Sequence, residues 1–317
     1  MAMKIVRHGL EMREFFNSSM YNVAQWFPGH MAAGLKNMQN KLKSVDCIIE
    51  VHDARVPLTG RNPLFGQTLL GIKPHILILN KMDLTNLRHK SRILEALQDQ
   101  GIKEVIFTNC KKPDSRGIKS ILPTVSRLIK ESDRYNRADE QDYSAMIIGI
   151  PNVGKSSIIN ALRAKHLRRG RASAVGDTPG ITRSVMERIK ICEDPKVYLI
   201  DTPGILSPQI GDVETGLKLA LVNTIKEHLV GEDIIADYLL FWLHSNGFSR
   251  FIGSYFDVED ENNIIIIIRQ IMSTINNWVL SVKTHNGYEK RPDITLAATR
   301  FLKAFRTGNL GKVMLDD

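Results

Sequence analysis

The sequence predicts an α/β fold: a mostly parallel six-stranded sheet covered by helices, followed from about residue 207 by a smaller, mainly helical domain. Three observations predict it. Short β-branched runs, each ending in a turn signal, alternate with helix-like stretches as far as residue 206. These runs are continuously apolar, as strands buried on both faces are. Beyond that point the alternation stops and helical periodicity takes over.

The expected strands are "DCIIEV" (46–51), "HILIL" (75–79), "EVIFT" (104–108), "AMIIG" (145–149), "RIKI" (188–191) and "VYLI" (197–200). Helices are expected over 90–101, 118–132 and 156–165. The runs at 188–191 and 197–200 are too close for a crossover helix, so they form an antiparallel hairpin at one edge. Later come helical patterns at 213–229, 233–246 and 295–311, a polar loop at 257–263 and an isoleucine run at 264–268. Periodicity leaves that run open between strand and helix. The resulting division is an N-terminal extension (1–25), a sheet domain (26–206) and a helical domain (207–317).

Hydrophobic residues make up 43% of the chain, enough for a packed core and against global disorder. Lys and Arg number 43 against 34 Asp and Glu, a formal charge of +9 that favours a polyanionic partner. Cys47, Cys110 and Cys192 are widely spaced and form no disulfide framework, which fits a reducing compartment. The longest apolar stretches fall short of the ~20 residues that span a bilayer. The first 25 residues carry no secretory signal and, with Glu11 and Glu14 among their basic residues, resemble a mitochondrial presequence only loosely.

Four loops carry chemistry, each after an apolar strand. "GIPNVGKS" (149–156) fits G-x-x-x-x-G-K-[ST] between a strand and a helix. There Asn152, Val153, Gly154, Lys155, Ser156 and Ser157 would surround phosphates, with Lys155 on the terminal ones and Ser156 on Mg2+. In "DTPG" (201–204), Asp201 would hold Mg2+ through a water and Gly204 would offer its N–H to the terminal phosphate. In "NKMD" (80–83), the Asp83 carboxylate can accept two hydrogen bonds from guanine, a pair adenine does not offer. Asn80 would brace the loops and the Lys81 stem would cover the base. "FTNCKK" (107–112) sits where a backbone N–H meets guanine O6, with Asn109 and Cys110 lining that loop and Cys110 in place of a small residue.

All four loops follow strand C-terminal ends, where open parallel sheets bind ligands. Yet the base-reading loops precede the phosphate loop, the reverse of the usual order. The sequence therefore reads as a circular permutation of a GTP-binding domain, which is cheap because domain termini lie close together on the surface.

With these segments go "WFPGHM" (26–31), "DARVPLTGRNP" (53–63), "TPGIT" (178–182), "VETGLKLAL" (213–221) and "GKVMLD" (311–316). Together they resemble the circularly permuted ribosome-assembly GTPases of the YlqF/RbgA type, most closely its mitochondrial, ribosome-associated branch. The resemblance runs from about residue 24 to the last of these segments. It implies GTP/GDP and Mg2+ as ligands, with K+ at Asn152, and Thr182 as the switch residue closing on Mg2+ and the terminal phosphate. It also implies large-subunit ribosomal RNA and protein as partners, and the mitochondrial matrix, with a peripheral inner-membrane contact, as the location.

One departure matters. Ile205 follows "DTPG" where Ras-like enzymes place a water-positioning Gln. Catalysis must then draw on K+ or on another residue; His30 is the family's candidate, against a purely structural hydrogen-bonding role for it. Basic residues Arg163, Lys165, Arg168, Arg169 and Arg171, and the basic face of "RFLKAFR" (300–306), suit RNA phosphates. Phe301, Leu302 and Phe305, at helical spacing, belong to the core. A P-loop ATPase or kinase is the rival enzyme class, opposed by Asp83. A nucleotide-gated RNA-binding or membrane-associated scaffold with little hydrolysis is the rival from another class, kept open by Ile205.

Overall fold

The structure, a computed structural model, describes residues 16, 31–68, 71, 73–167, 188–206, 212–248, 279–284 and 287–316. By packing, the chain divides into a sheet unit, Val23–Lys226 with Val313–Asp317, and a second unit, Met1–Asn22 with Glu227–Lys312.

In the sheet unit the strands are β1 (Cys47–Asp53), β2 (His75–Asn80), β3 (Val105–Phe107), β4 (Tyr143–Ile148), β5 (Arg188–Cys192) and β6 (Val197–Asp201). They run in the spatial order β3-β2-β1-β4-β6-β5. All neighbours are parallel except β5 against β6, the expected antiparallel edge. Every residue of β1 is buried, because helices cover both faces of a parallel sheet. The helices are α1 (Met31–Lys41), α2 (Pro63–Thr68), α3 (Lys90–Asp99), α4 (Arg116–Lys130), α5 (Lys155–Leu167) and α6 (Val213–Leu221). The first two are not announced by periodicity; α2 is short and starts at Pro63, whose fixed φ suits the first helical position.

Strand order reverses between β1 and β4, so the crevice outside their C-terminal ends is the expected ligand position. Asp53 ends β1, Asn80 ends β2 and Gly149 follows β4, which brings two of the four motif loops and the start of "DARVPLTGRNP" to that end of the sheet.

The division of the chain by packing differs from the boundary read from sequence. Helix α6 belongs to the sheet unit rather than opening the helical domain, and 313–317 rejoin the sheet unit. The helical pattern of 213–229 breaks at Asn223, whose φ is +64°, and resumes only in the short α7 (Glu227–Val230). Apolar periodicity marks a buried face but not which core buries it. Leu217 and Leu221 are fully buried in the sheet unit.

The second unit holds α7, α8 (Glu232–Ser245), the antiparallel hairpin β7 (Val279–Thr284) and β8 (Gly287–Pro292), and α9 (Ile294–Thr307). The hairpin was not expected in a mainly helical domain. Helices α8 and α9 pack on one another. Phe301, Leu302 and Phe305 are buried as expected, and Arg300 and Lys303 are exposed. The ring of Phe16 meets Tyr238 edge-on at 5.2 Å. The isoleucine run lies outside the described residues. Among those residues no helix is long and apolar enough to cross a membrane.

Candidate functional site

The phosphate loop, 149–154, leads from β4 into α5, which starts at Lys155. Gly154 has φ +99°, and a Cβ there would stand 2.3 Å from Asn80 Nδ2. Only glycine lets the loop approach the base-reading loop this closely. The Lys155 ammonium donates to the carbonyls of Ile150 (2.9 Å) and Gly149 (3.2 Å). Burial pulls its pKa down to about 8, against the opposing pull of the Asp201 charge. A buried cation ringed by carbonyl oxygens and the N-terminal end of α5 fits an anionic ligand.

Asn80 ties the nucleotide loops together. Its Nδ2 donates to the Val153 carbonyl (2.9 Å), while its Oδ1 accepts from Thr108 Oγ1 (3.1 Å) and Cys110 Sγ (3.3 Å). The phosphate loop, the base loop and the 107–112 loop thus meet on one buried amide, in the bracing role expected. Cys110 adds what the sequence did not suggest: its thiol is a donor to Asn80. Burial, with the Asp83 charge adding to it, raises its pKa to about 12 against the Asn80 hydrogen bond, so the thiol stays protonated.

Lys81 adopts the left-handed conformation (φ +61°). Its Nζ donates to the Asn152 carbonyl (2.7 Å) and pairs with Asp53 (3.0 Å). Asp53 in turn takes a bidentate grip from the Arg55 guanidinium at 2.9 and 2.7 Å. Burial opposes its ionisation, but Arg55 and then Lys81 outweigh burial and hold the carboxyl well below the usual range. Asp53 and Arg55 both lie in "DARVPLTGRNP" (53–63). Their signal was a charged pair at the end of an apolar strand. Asp83 is partly exposed and pairs with Lys111 at 3.0 Å. Asn109 is buried and accepts from the Lys111 backbone N–H (2.9 Å).

On the phosphate side, Asn152 is left-handed (φ +58°), and its Nδ2 donates to the Asn223 carbonyl (2.7 Å), in the turn after α6. Ser156 and Ser157 stand in the first turn of α5, half-buried. Asp201 is buried at the end of β6, and Thr202 Oγ1 donates to the Ile147 carbonyl (2.6 Å). A Cβ on Gly204 would lie 2.7 Å from both Pro151 Cα and N, so this glycine sits directly against the phosphate loop. Ile205 is buried, as an apolar side chain in place of a water-orienting one would be. His30 and Thr182 lie outside the described residues, as do Arg168, Arg169 and Arg171.

Among the described residues no cluster of three acidic, His or Cys side chains stands ready for a metal. A magnesium ion carried by nucleotide phosphates needs no such cluster, because the phosphates and waters supply most of its oxygens.

A family described as "50S ribosome-binding GTPase" matches residues 144–271. That match begins at the phosphate-loop strand and leaves the base-reading half upstream, as a permuted order requires. "Mitochondrial ribosome-associated GTPase 1" of Bos taurus is 50% identical over 307 residues, covering 96% of this chain and 92% of its own length. "Mitochondrial GTPase 1" of Schizosaccharomyces pombe is 38% identical, covering 69% and 70%. The crystal structure of "GNP-bound YlqF from T. maritima" shares the fold, with a TM-score of 0.52 and 24% identity over 88% of this chain and 96% of that one.

Proposed function

The chain belongs to the mitochondrial ribosome-associated GTPase family, and from that premise we propose that it is an assembly factor whose GTP state binds the large subunit of the mitochondrial ribosome and whose hydrolysis of GTP releases it. The observation that carries this reading is the buried Asn80 amide joining the phosphate loop at Val153 to the 107–112 loop at Thr108 and Cys110. It makes one site of a phosphate end and a base end that the chain encodes in reverse order.

In that site Asp83 accepts from guanine, the Lys81 stem covers the base and the Cys110 backbone N–H meets O6. The loop from Asn152 to Ser157 surrounds the phosphates, with Lys155 on the terminal ones. Ser156, Thr182 and Asp201, the last through a water, serve Mg2+, which would neutralise charge on the phosphates. Gly204 donates to the terminal phosphate. Because Ile205 cannot orient water, His30 or a potassium ion supplies that part of catalysis. Asn152 would meet the cation through its amide oxygen, because an amide nitrogen does not ligate a hard cation. Hydrolysis should then run faster in K+ than in Na+ at equal ionic strength, and Asn152→Ala should erase the difference. Equal rates in the two salts for the parent protein remove K+ from the mechanism.

On the second unit, the exposed Arg300 and Lys303 of α9 would meet RNA phosphates. The expected location is the mitochondrial matrix, with a peripheral contact at the inner membrane. The deciding measurement is co-sedimentation with mitochondrial large subunits in a non-hydrolysable GTP analogue and in GDP. Binding in the analogue and not in GDP supports the cycle; equal binding overturns it. The buried Ile205 favours a second reading, a nucleotide-gated scaffold with little hydrolysis. Phosphate release that stays negligible with and without subunits would select it.

A further inference from the structure

We infer that Asn62 is a positioning residue for GTP hydrolysis, acting on the Gly204 N–H through the backbone of Ile205. The observation is a pin. Asn62 is buried, and its Nδ2 donates to the Ile205 carbonyl at 3.1 Å. The Ile205 N–H donates to the Gly149 carbonyl at 3.2 Å, the same oxygen that accepts from Lys155 Nζ. The residue after "DTPG" is therefore held on one side by the phosphate loop and on the other by Asn62. Its neighbour Gly204 already lies against Pro151, so a fixed residue 205 leaves the Gly204 amide few directions to take.

Asn62 is suited to hold because it is itself held. Its carbonyl accepts from Phe65 N–H (2.9 Å) at the start of α2, and the Phe65 ring is fully buried. Pro63 follows it and fixes the local φ. Arg61 reaches Gln100 (2.5 Å) and the buried Glu50 (3.6 Å). The Leu58 and Thr59 amides donate to the Asp316 carboxylate at 2.7 and 2.8 Å. The loop from β1 to α2 is thus anchored nearly residue by residue, and one of its side chains holds the backbone of Ile205.

A preorganised donor pays its ordering cost at folding rather than during the reaction. Removing such a donor outright costs roughly 10²–10³-fold in kcat; loosening the segment that aims it should cost about tenfold. GDP has no terminal phosphate for Gly204 to meet, so its affinity should not change. The inference rests on the nucleotide site described above, and Lys155→Ala separates the two. A Lys155→Ala protein that hydrolyses normally sinks the site; a dead Lys155→Ala beside a fully active Asn62→Ala sinks only the role of Asn62.

The experiment is single-turnover GTP hydrolysis by the full-length Asn62→Ala protein, with GDP affinity, thermal midpoint and hydrogen exchange of the 204–206 amides measured alongside. Asn62→Asp, of the same shape but with oxygen where the donor was, gives the same readings if the alanine variant folds poorly. Expected are a rate about tenfold lower, GDP affinity within about twofold of the parent and faster exchange at 204–206. A parent-like rate overturns the inference. So does a loss of rate that tracks equal losses of GDP affinity and thermal midpoint, which marks a merely structural residue.

Discussion

Lys155 is a buried amine whose pKa sits at about 8 when its ordinary value is 10.5. Between those values the unfolded chain holds a proton that the folded, nucleotide-free protein has released. The nucleotide-free protein therefore gains stability as pH rises across that window, and below it the cost of burying the ammonium is carried in full. Bound phosphates reverse the preference by stabilising the charged amine. Nucleotide binding then takes up a proton above pH 8, and GDP affinity measured by calorimetry should fall as pH rises through that value. Lys155→Ala should abolish hydrolysis, keep its fold and lose this slope; an unchanged slope in the variant would assign the proton elsewhere. Asp83 makes a separate prediction. Asp83→Asn should lose GTP and gain xanthosine triphosphate, because the amide donates to the added carbonyl while still accepting from N1–H. A competition assay showing an unchanged GTP preference would remove Asp83 from base reading.

Among elements, α6 changes its meaning most between sequence and structure. It is capped by Asp212, whose carboxylate accepts from Thr215 N–H (2.8 Å) and Thr215 Oγ1 (2.9 Å). Its turn ends at Asn223, whose carbonyl takes the Asn152 amide of the phosphate loop. The helix is therefore a support of the nucleotide site. Removing its cap should cost about 1 kcal/mol, the usual worth of an N-cap carboxylate. Chemical denaturation of Asp212→Ala should show that loss, and a midpoint equal to the parent's would mean the cap contributes nothing here.

For the whole molecule, the chain leaves the sheet unit after Lys226 and rejoins it at Val313. Each crossing adjoins a nucleotide loop within the sheet unit. Asn223, just before the first, holds Asn152. Val313, at the second, donates to the carbonyl of Leu84, the residue after "NKMD" (3.2 Å), and Leu315 donates to the Arg55 carbonyl (2.7 Å). Met314 is buried with Leu77, Leu79 and Leu97. If nucleotide state is passed to the second unit along the chain, it passes through these two connections. A flexible Gly/Ser insertion between Lys226 and Glu227 should leave nucleotide affinity intact while lowering the GTP/GDP ratio of subunit binding. The same insertion after Ser207, inside one unit, should lower that ratio less. An unaltered ratio in the first variant would locate the coupling on the sheet unit's own surface.

The four loop motifs, the six strands with their antiparallel edge and the permutation were all legible in the sequence. Each rests on local chemistry: a glycine that must turn, a lysine that must reach, a carboxylate after an apolar strand. The buried faces of Phe301, Leu302 and Phe305 were legible for the same reason, since helical spacing is a local property. The partners of those residues were not. That the Cys110 thiol donates to Asn80, that Asn62 holds Ile205, that α6 supports the phosphate loop and that 313–316 return to the sheet are contacts across tens to hundreds of positions. Only the tertiary structure decided them, because a hydrogen bond or a packed face depends on where the chain comes back in space, and an amphipathic pattern records that a surface is buried without recording against what.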